Sequence, residues 1–252
     1  MEILSKADAV MRELEGHGEL SVAKLAANVG EPVSSTYRLI TNLAAIGWVE
    51  TGSKRGLYRL GVYAMSVGGR LEDRISVRDA ALPFLKSLLE ETSATSFLCV
   101  RRSSRAVCIE RLEGRDVRSL ALALGDSFPL YRGAAPLALL AFLPRSEREA
   151  VLDGFDDQRK TDASVPARSA IERSINTIRD NGYSMSDGDV TPGIASIGAP
   201  VYNHRGELEA AISISGLREA VIETPVPTVR LVLEAAADVS RSLGFQGEMS
   251  AA

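Results

Sequence analysis

The sequence predicts two domains of different class: a small, mainly α domain that ends in a β-hairpin, then a larger α+β domain built on an antiparallel sheet. Three observations predict this. Residues 21–60 read as helix, turn, helix and basic hairpin in unbroken succession. Beyond Glu91 the hydrophobic period changes from that of helices to short alternating strands separated by turn residues. The charge is also divided. Residues 32–70 hold Arg38, Lys54, Arg55, Arg59 and Arg70 against Glu50 alone, a net of +4 in a chain whose total is −4, so the remainder carries −8. A small basic patch on an acidic body is what a nucleic-acid-binding module joined to a domain of another kind should look like. The boundaries that follow are residues 1–61 for the first domain, 62–75 for a linker helix and 76–252 for the second domain.

Composition excludes several classes. Apolar content of 45% and charged content of 25% in 252 residues are those of an ordinary soluble globular protein. No run approaches the roughly 18 apolar residues that span a bilayer, so no membrane partner is expected. The start, MEILSKADAVMREL, is acidic and amphipathic, unlike a secretory leader. Cys99 and Cys108 fit a reducing cytoplasm and provide no disulfide framework.

In the first domain Val22, Leu25, Ala26 and Val29 fall at i, i+3, i+4 and i+7, one buried face of a helix. Ser21 caps its first turn and Gly30 ends it, because glycine takes the left-handed conformation without steric cost. Pro32 suits the first turn of the next helix, where its missing N–H would be unbonded anyway. In that second helix Ile40, Leu43 and Ile46 face the core, with Val33 and Leu39 at the margins. Ser34, Ser35, Thr36, Tyr37, Arg38, Thr41 and Asn42 form the set expected at DNA. Hydroxyls and N-terminal amides reach phosphates, and arginine can bond guanine O6 and N7 bidentately. An ordinary solvated polar face is the alternative for this helix taken alone. The hairpin adds the deciding element. Trp48, Val49 and Glu50 begin a strand, Gly52–Gly56 makes the turn, and Leu57–Leu60 returns with period-two alternation. Lys54 and Arg55 then stand at an exposed tip beside the groove, and Trp48 at the helix–strand junction reads as packing. The three elements together are a winged helix-turn-helix.

The segment LSVAKLAANVGEPVSSTYRLITNLAAIGWVETGSKRGLYRLG resembles the DNA-binding domain of IclR-type transcriptional regulators. That family carries a proline, hydroxyl residues, a Tyr or His and Arg-Leu-Leu in its recognition helix. Pro32, Ser34, Ser35, Tyr37, Arg38, Leu39 and Ile40 match this pattern. Val33 departs from it, standing where a lysine or arginine is common, which removes one phosphate contact. The resemblance implies a homodimer or dimer of dimers on a pseudo-palindromic double-stranded operator.

The second domain begins after a helical stretch from Val62 to about Leu89, interrupted near Ser76. Gly68-Gly69 within it marks a bend or a close helix approach. Thr95–Arg101 and Arg105–Arg111 read as strands around a Ser103-Ser104 turn, with Val117–Leu124 a third. APLALLAFL before Pro144 and PARSAIERSINTIRDNG read as helices. Strands resume at Tyr183–Val190, Ala195–Tyr202 and Leu208–Ser215, with a tight turn at Asn203–Gly206, and Pro227–Leu243 is a final helix. Antiparallel strands with grouped helices make an α+β domain.

The segments FPLYRGAAPLALLAFLP and GDVTPGIASIGAPVYNHRGELEAAISISG resemble the effector-binding domain of the same family, which has a GAF-like fold. The resemblance implies a small-metabolite pocket lined by Leu130, Ala134 and Ala135, by Ile194 and Ser196, and by Ser213 and Ser215, with Asp187 a weaker candidate. The residues themselves agree. Ser213 and Ser215 alternate by two and so project from one sheet face. The amides of Gly133, Ala134 and Ala135 open a helix and can hold an anion. Tyr131-Arg132 and Pro136-Leu137 depart from the family's usual His-Ala and Gly-Lys. Arg132 beside a helix start points to a carboxylate ligand, an organic or aromatic acid, although a loop arginine also serves nearby acids or solvent. The serines can equally bond backbone or water.

Nothing points to catalysis, a cofactor or a metal. His17 and His204 are the only histidines, and neither stands where a general base is needed. No nucleophile elbow, zinc-protease, phosphate-loop or paired C-x-x-C motif is present. Cys99 and Cys108 flank a hairpin across which they could approach each other and read as small apolar packing residues, and the acids Asp153–Asp157 read as solvated surface. The expected function is a DNA-binding regulator, more often a repressor, whose operator affinity responds to a metabolite. The alternatives are an enzyme or sensor whose helix-turn-helix makes protein contacts only, or a structural dimerisation protein.

Overall fold

A computed structural model describes residues 2–72, 76–115, 117, 122–223 and 228–247, with the side chains of 2 and 68–72 excepted. By its internal contacts the chain divides into two units, Met1–Ile75 and Ser76–Ala252.

The first unit runs α1 (Glu2–His17), β1 (Glu19–Ser21), α2 (Val22–Val29), α3 (Val33–Ala45), β2 (Val49–Thr51), β3 (Leu57–Leu60) and α4 (Val62–Glu72). Ser21 accepts from the Lys24 N–H at 3.3 Å, and Gly30 ends α2 at φ +69. Pro32 stands one residue before the helix, as the N-cap of α3, and its carbonyl accepts from the Thr36 amide at 3.0 Å. The core is Val10 and Leu14 from α1, Leu25 from α2, Ile40 from α3 and Val49 from β2. Burial of each large aliphatic there contributes about 1.5–3 kcal/mol. Ile46, expected in this core, is 61% exposed, because α3 ends at Ala45 and the chain turns away. Strand β1 escaped the sequence reading. It pairs with β3, giving a three-stranded sheet in the order β1-β3-β2.

The second unit runs α5 (Val77–Thr92), β4 (Thr95–Arg102), β5 (Arg105–Leu112), β6 (Ser127–Pro129), α6 (Ala134–Phe142), α7 (Arg145–Arg159), α8 (Arg168–Asn181), β7 (Ser184–Asp187), β8 (Ile194–Tyr202), β9 (Leu208–Leu217), α9 (Arg218–Ile222) and α10 (Thr228–Ser242). Six antiparallel strands form one sheet in the order β6-β5-β4-β9-β8-β7. Period-two alternation divides its side chains between two cores. Ala195, Ile197, Ile212 and Ile214 meet α5 and α10. Phe97, Cys99, Cys108 and Ala211 meet α6, α7 and α8. Helix α6 is buried on every side, so it lies between the sheet and the outer helices.

Several expectations are corrected. The strand expected at Val117–Leu124 is not found where the segment is described: Val117 and Leu122–Leu124 are not in a strand, and 118–121 lie outside the described residues. Strand β7 stops at Asp187, where Gly188 turns the chain at φ +72. Helices α7 and α9 and strand β6 were unassigned in the sequence. The acids near 153–157 are more than solvated surface. Asp153 and Asp156 reach Arg168 at 2.6 and 3.1 Å, and Glu149 and Glu172 complete a network that raises the arginine pKa, chiefly through the Asp153 hydrogen bond. Cys99 and Cys108 are directly paired across β4 and β5 and fully buried. The hydrogen bond that its thiol donates to Cys108, and then burial, push the Cys99 thiol upward, consistent with packing.

Candidate functional sites

On α3, Ser34, Tyr37, Arg38 and Thr41 recur at i, i+3, i+4 and i+7, and all four are exposed, with Asn42 beside them. Ser35 is half-buried at the margin. Thr36 is 2% exposed, and its hydroxyl donates to the Pro32 carbonyl at 3.1 Å. It sits opposite Arg38 on the helix and leaves the set expected at DNA. The Thr41 hydroxyl donates back to Tyr37 O at 2.9 Å, so it faces outward as an acceptor only.

The wing is built around a residue that sequence reasoning missed. The Glu19 carboxylate in β1 accepts the Ser53 N–H at 2.9 Å and the Ser53 hydroxyl at 2.6 Å. These bonds, with Arg59 at 3.6 Å, hold its pKa below the usual carboxylate range. Gly52 makes the approach possible, since a Cβ there would stand 3.0 Å from the Glu19 carboxylate carbon. Lys54 and Arg55 are left exposed at the tip. Arg59, counted among the basic residues, is instead paired with Glu50 at 2.8 Å. Free positive charge on α3 and the wing therefore lies on Arg38, Lys54 and Arg55, which, like Lys24 on α2, have no acidic partner among the described residues. Trp48 meets Tyr63 of α4 edge-on at 5.3 Å, the contact of a packing residue.

In the second unit a cavity of about 40 Å³ opens between the start of α6 and the sheet. That is room for about three waters. Six of the nine residues expected there line it: Ala134 and Ala135 from α6, Ile194 and Ser196 from β8, Ser213 and Ser215 from β9. The register places Ser196 opposite Ser215, and the former's hydroxyl donates to the latter at 3.0 Å. Helix α6 comes so close to the sheet because of Gly198, where a Cβ would lie 2.9 Å from the Ala134 carbonyl carbon. The Ser184 hydroxyl donates to Ala134 O at 2.7 Å and fixes that approach.

Three expected residues fall outside the cavity. Leu130 is fully buried in the core below it. Arg132 is not in the lining but packs behind two residues that are, donating to Val190 O at 3.3 Å with its guanidinium 5.9 Å from the Phe128 ring centre. Asp187 alternates with Ser186 to the opposite side and meets Arg218 at 3.0 Å. Residues missed in the sequence complete the lining: Phe97, Leu122 and Phe128 supply an apolar side, and Ser186, Val190 and Thr191 supply the rim. Asp189 occupies part of the helix start. Its carboxylate accepts from the Gly133 N–H at 3.2 Å and from the Ser186 hydroxyl. The amides of Ala134 and Ala135 have no acceptor among the described residues. The missed set carries no local signal: Ser186, for example, enters through its register opposite Ser196.

Comparison with known proteins places both units. A family profile described as "IclR helix-turn-helix domain" matches residues 4–53, and one described as "Bacterial transcriptional regulator IclR C-terminal" matches residues 70–241. The chain is 30% identical to the HTH-type transcriptional regulator KipR of Bacillus subtilis over 227 residues, 90% of each chain. It is 28% identical to the HTH-type transcriptional repressor AllR of Escherichia coli K12 over 247 residues, 97% of this chain and 91% of that one. Its fold is similar to the crystal structure of Pseudomonas aeruginosa HmgR, with a TM-score of 0.82 at 23% identity over 98% of this chain and 100% of that one. It is also similar to the Agobacterium tumefaciens repressor BlcR, with a TM-score of 0.77 at 20% identity over 98% and 99%. These relatives are regulators rather than enzymes. With a helix-turn-helix at one end and an effector-binding domain at the other, the chain belongs to the IclR family of bacterial transcriptional regulators.

Proposed function

We propose that this regulator is a repressor whose hold on its operator is set by a small carboxylate bound at the start of α6. The observation that carries this reading is the hydroxyl-lined cavity beneath the unbonded amides of Ala134 and Ala135. Helix N-terminal amides favour an anion, the serines and Thr191 supply further hydrogen bonds, and Phe97, Leu122 and Phe128 accept a small apolar body. The repressors among its relatives support the direction of control. A cavity of about 40 Å³ admits only a very small acid as it stands. A larger or aromatic acid enters only if the 188–193 segment and Asp189 give way.

At the other end, Ser34, Tyr37, Arg38 and Asn42 would read the major groove, with Ser35 and Thr41 at its edge and Lys54 and Arg55 on flanking phosphates. Two such units in a dimer, or four in a dimer of dimers, would meet a pseudo-palindromic operator in the cytoplasm. The test is thermal-shift screening of small carboxylates and aromatic acids, followed by operator binding with and without each hit. An acid that stabilises the protein and changes operator affinity supports the reading. A stabilising neutral compound, with every acid silent, would remove the carboxylate assignment.

A further inference from the structure

The far end of α6 opens onto a second and much larger cleft of about 710 Å³. The end of α6, the start of α7, α8 and the β8–β9 hairpin enclose it. Arginines dominate its lining: Arg101, Arg145, Arg148 and Arg179, against Glu147 and Glu207. Both acids are already engaged, Glu147 by Arg101 and Glu207 by Arg205 and Asn203. Three cations therefore remain without a carboxylate among the described residues.

Two of these cations are held together. Arg148 and Arg179 both donate to the carbonyl of Ala141, at 3.2 and 3.1 Å, and Arg148 also reaches Leu143 O at 3.0 Å. Those carbonyls end α6, so each arginine caps a helix C-terminus. Capping uses one nitrogen of each guanidinium. Their other N–H groups find no acceptor among the described residues. The proximity is unfavourable: burial and then the neighbouring Arg179 charge lower the Arg148 pKa. Arg145, at the first turn of α7, is exposed and points a third charge to the same cleft. Tyr202 lines the opposite wall, its ring stacked on Phe245 at 5.3 Å. Burial pushes its hydroxyl up to about 12, so it stays protonated and can donate.

We propose that this cleft is a second ligand site, separate from the cavity at the other end of α6, and that it binds a multivalent oxyanion, a phosphate ester or a di- or tricarboxylate. Guanidinium forks match both chemistries, and an anion bridging Arg148 and Arg179 relieves their repulsion while leaving both helix caps intact. The site is independent of the carboxylate reading for the smaller cavity.

Calorimetric titration of the full chain tests it, with inorganic pyrophosphate and citrate as the two probes. Saturable binding of either at one site per chain is expected, weakening as sodium chloride is raised. Pyrophosphate alone binding assigns the phosphate class, and citrate alone the polycarboxylate class. Arg145→Glu reverses an exposed charge at a helix start, where an acid is favourable, so the fold is kept. It should weaken binding about tenfold or more. Arg179→Gln should do the same, with Arg148 left to cap α6. Absence of saturable binding by both probes, or unchanged affinity in Arg145→Glu, overturns the proposal.

Discussion

Neighbouring side chains on α3 meet opposite fates: Thr36 turns inward to the Pro32 carbonyl while Tyr37 and Arg38 stand in solvent. The sequence places all three in the set expected at DNA, and only the helical angle separates them. Arg38 has no acidic partner among the described residues, so its removal leaves nothing buried and unsatisfied. Arg38→Ala is expected to weaken operator binding by about 1–3 kcal/mol, roughly fivefold to more than a hundredfold, with an unchanged melting temperature. Gel-shift titration beside a thermal melt checks both halves, and full operator affinity in the variant would remove α3 from the groove. At the other site the informative residue is Asp189. Its carboxylate already accepts the Gly133 N–H, in the place an incoming carboxylate would approach. Like charges at that range oppose each other by on the order of 1–2 kcal/mol. Asp189→Asn keeps the acceptor oxygen and drops the charge, so an effector acid should bind about tenfold more tightly by calorimetry. Weaker binding would mean that Asp189 closes over the ligand instead of competing with it.

The elements were readable where they bury a regular stripe. Helix α2 with its Ser21 and Gly30 caps, and strands β8 and β9 as short, almost wholly buried runs bounded by turn residues, follow from local pattern. Helix α7 was not readable because charges fill its sequence, leaving Val151, Leu152 and Phe155 as its buried residues. Strand β1 is three residues long and exists only because β3 pairs with it. The same distinction governs the sites: the alternation of Ser213 and Ser215 is local, whereas Phe97, Phe128 and Asp189 reach the cavity through sheet order and a loop return. The Glu19 anchor of the wing also depends on such a long-range pairing, and it is titratable. Its pKa is lowered in the fold, so the stabilisation is complete above the ordinary carboxylate range, about pH 4.5, and is lost as the pH falls through the lowered value. The protection of the Ser53 amide against exchange, relative to its intrinsic rate at each pH, should therefore fall below that range, and Glu19→Gln should show lower protection already at neutral pH with operator binding several-fold weaker. Unchanged Ser53 exchange in the variant would leave the wing without this anchor. In the sheet domain the corresponding device is Gly198. Gly198→Ala places a methyl against the Ala134–Ala135 backbone, an overpacking that costs about 1–3 kcal/mol. The melting temperature should fall by about 2–12 °C, and effector binding should weaken with it.

For the whole molecule, the overall charge of −4 hides a module whose exposed cations without an acidic partner, among the described residues, are Lys24 on α2 with Arg38, Lys54 and Arg55. Arg59 is neutralised by Glu50 and Glu19, and Val33 stands where a basic residue would have been available. Phosphate neutralisation therefore falls mainly on the wing tip, and its salt dependence counts how many wings are engaged. Each phosphate neutralised on duplex DNA contributes roughly 0.9 to the slope of log affinity against log salt. Removing one lysine per chain lowers that slope once for every copy bound. Lys54→Ala should reduce it by roughly 2 if a symmetric dimer sits on the operator, and by roughly 4 if a dimer of dimers does. A reduction of roughly 1 would mean that one wing per complex reaches the backbone, contrary to the proposed two-fold arrangement. No change would show that Lys54 does not touch phosphate. Binding measured across a salt series for wild type and variant on the same operator separates these outcomes. The measurement does not require the effector, so the assembly on DNA can be established before the signal it answers to is identified.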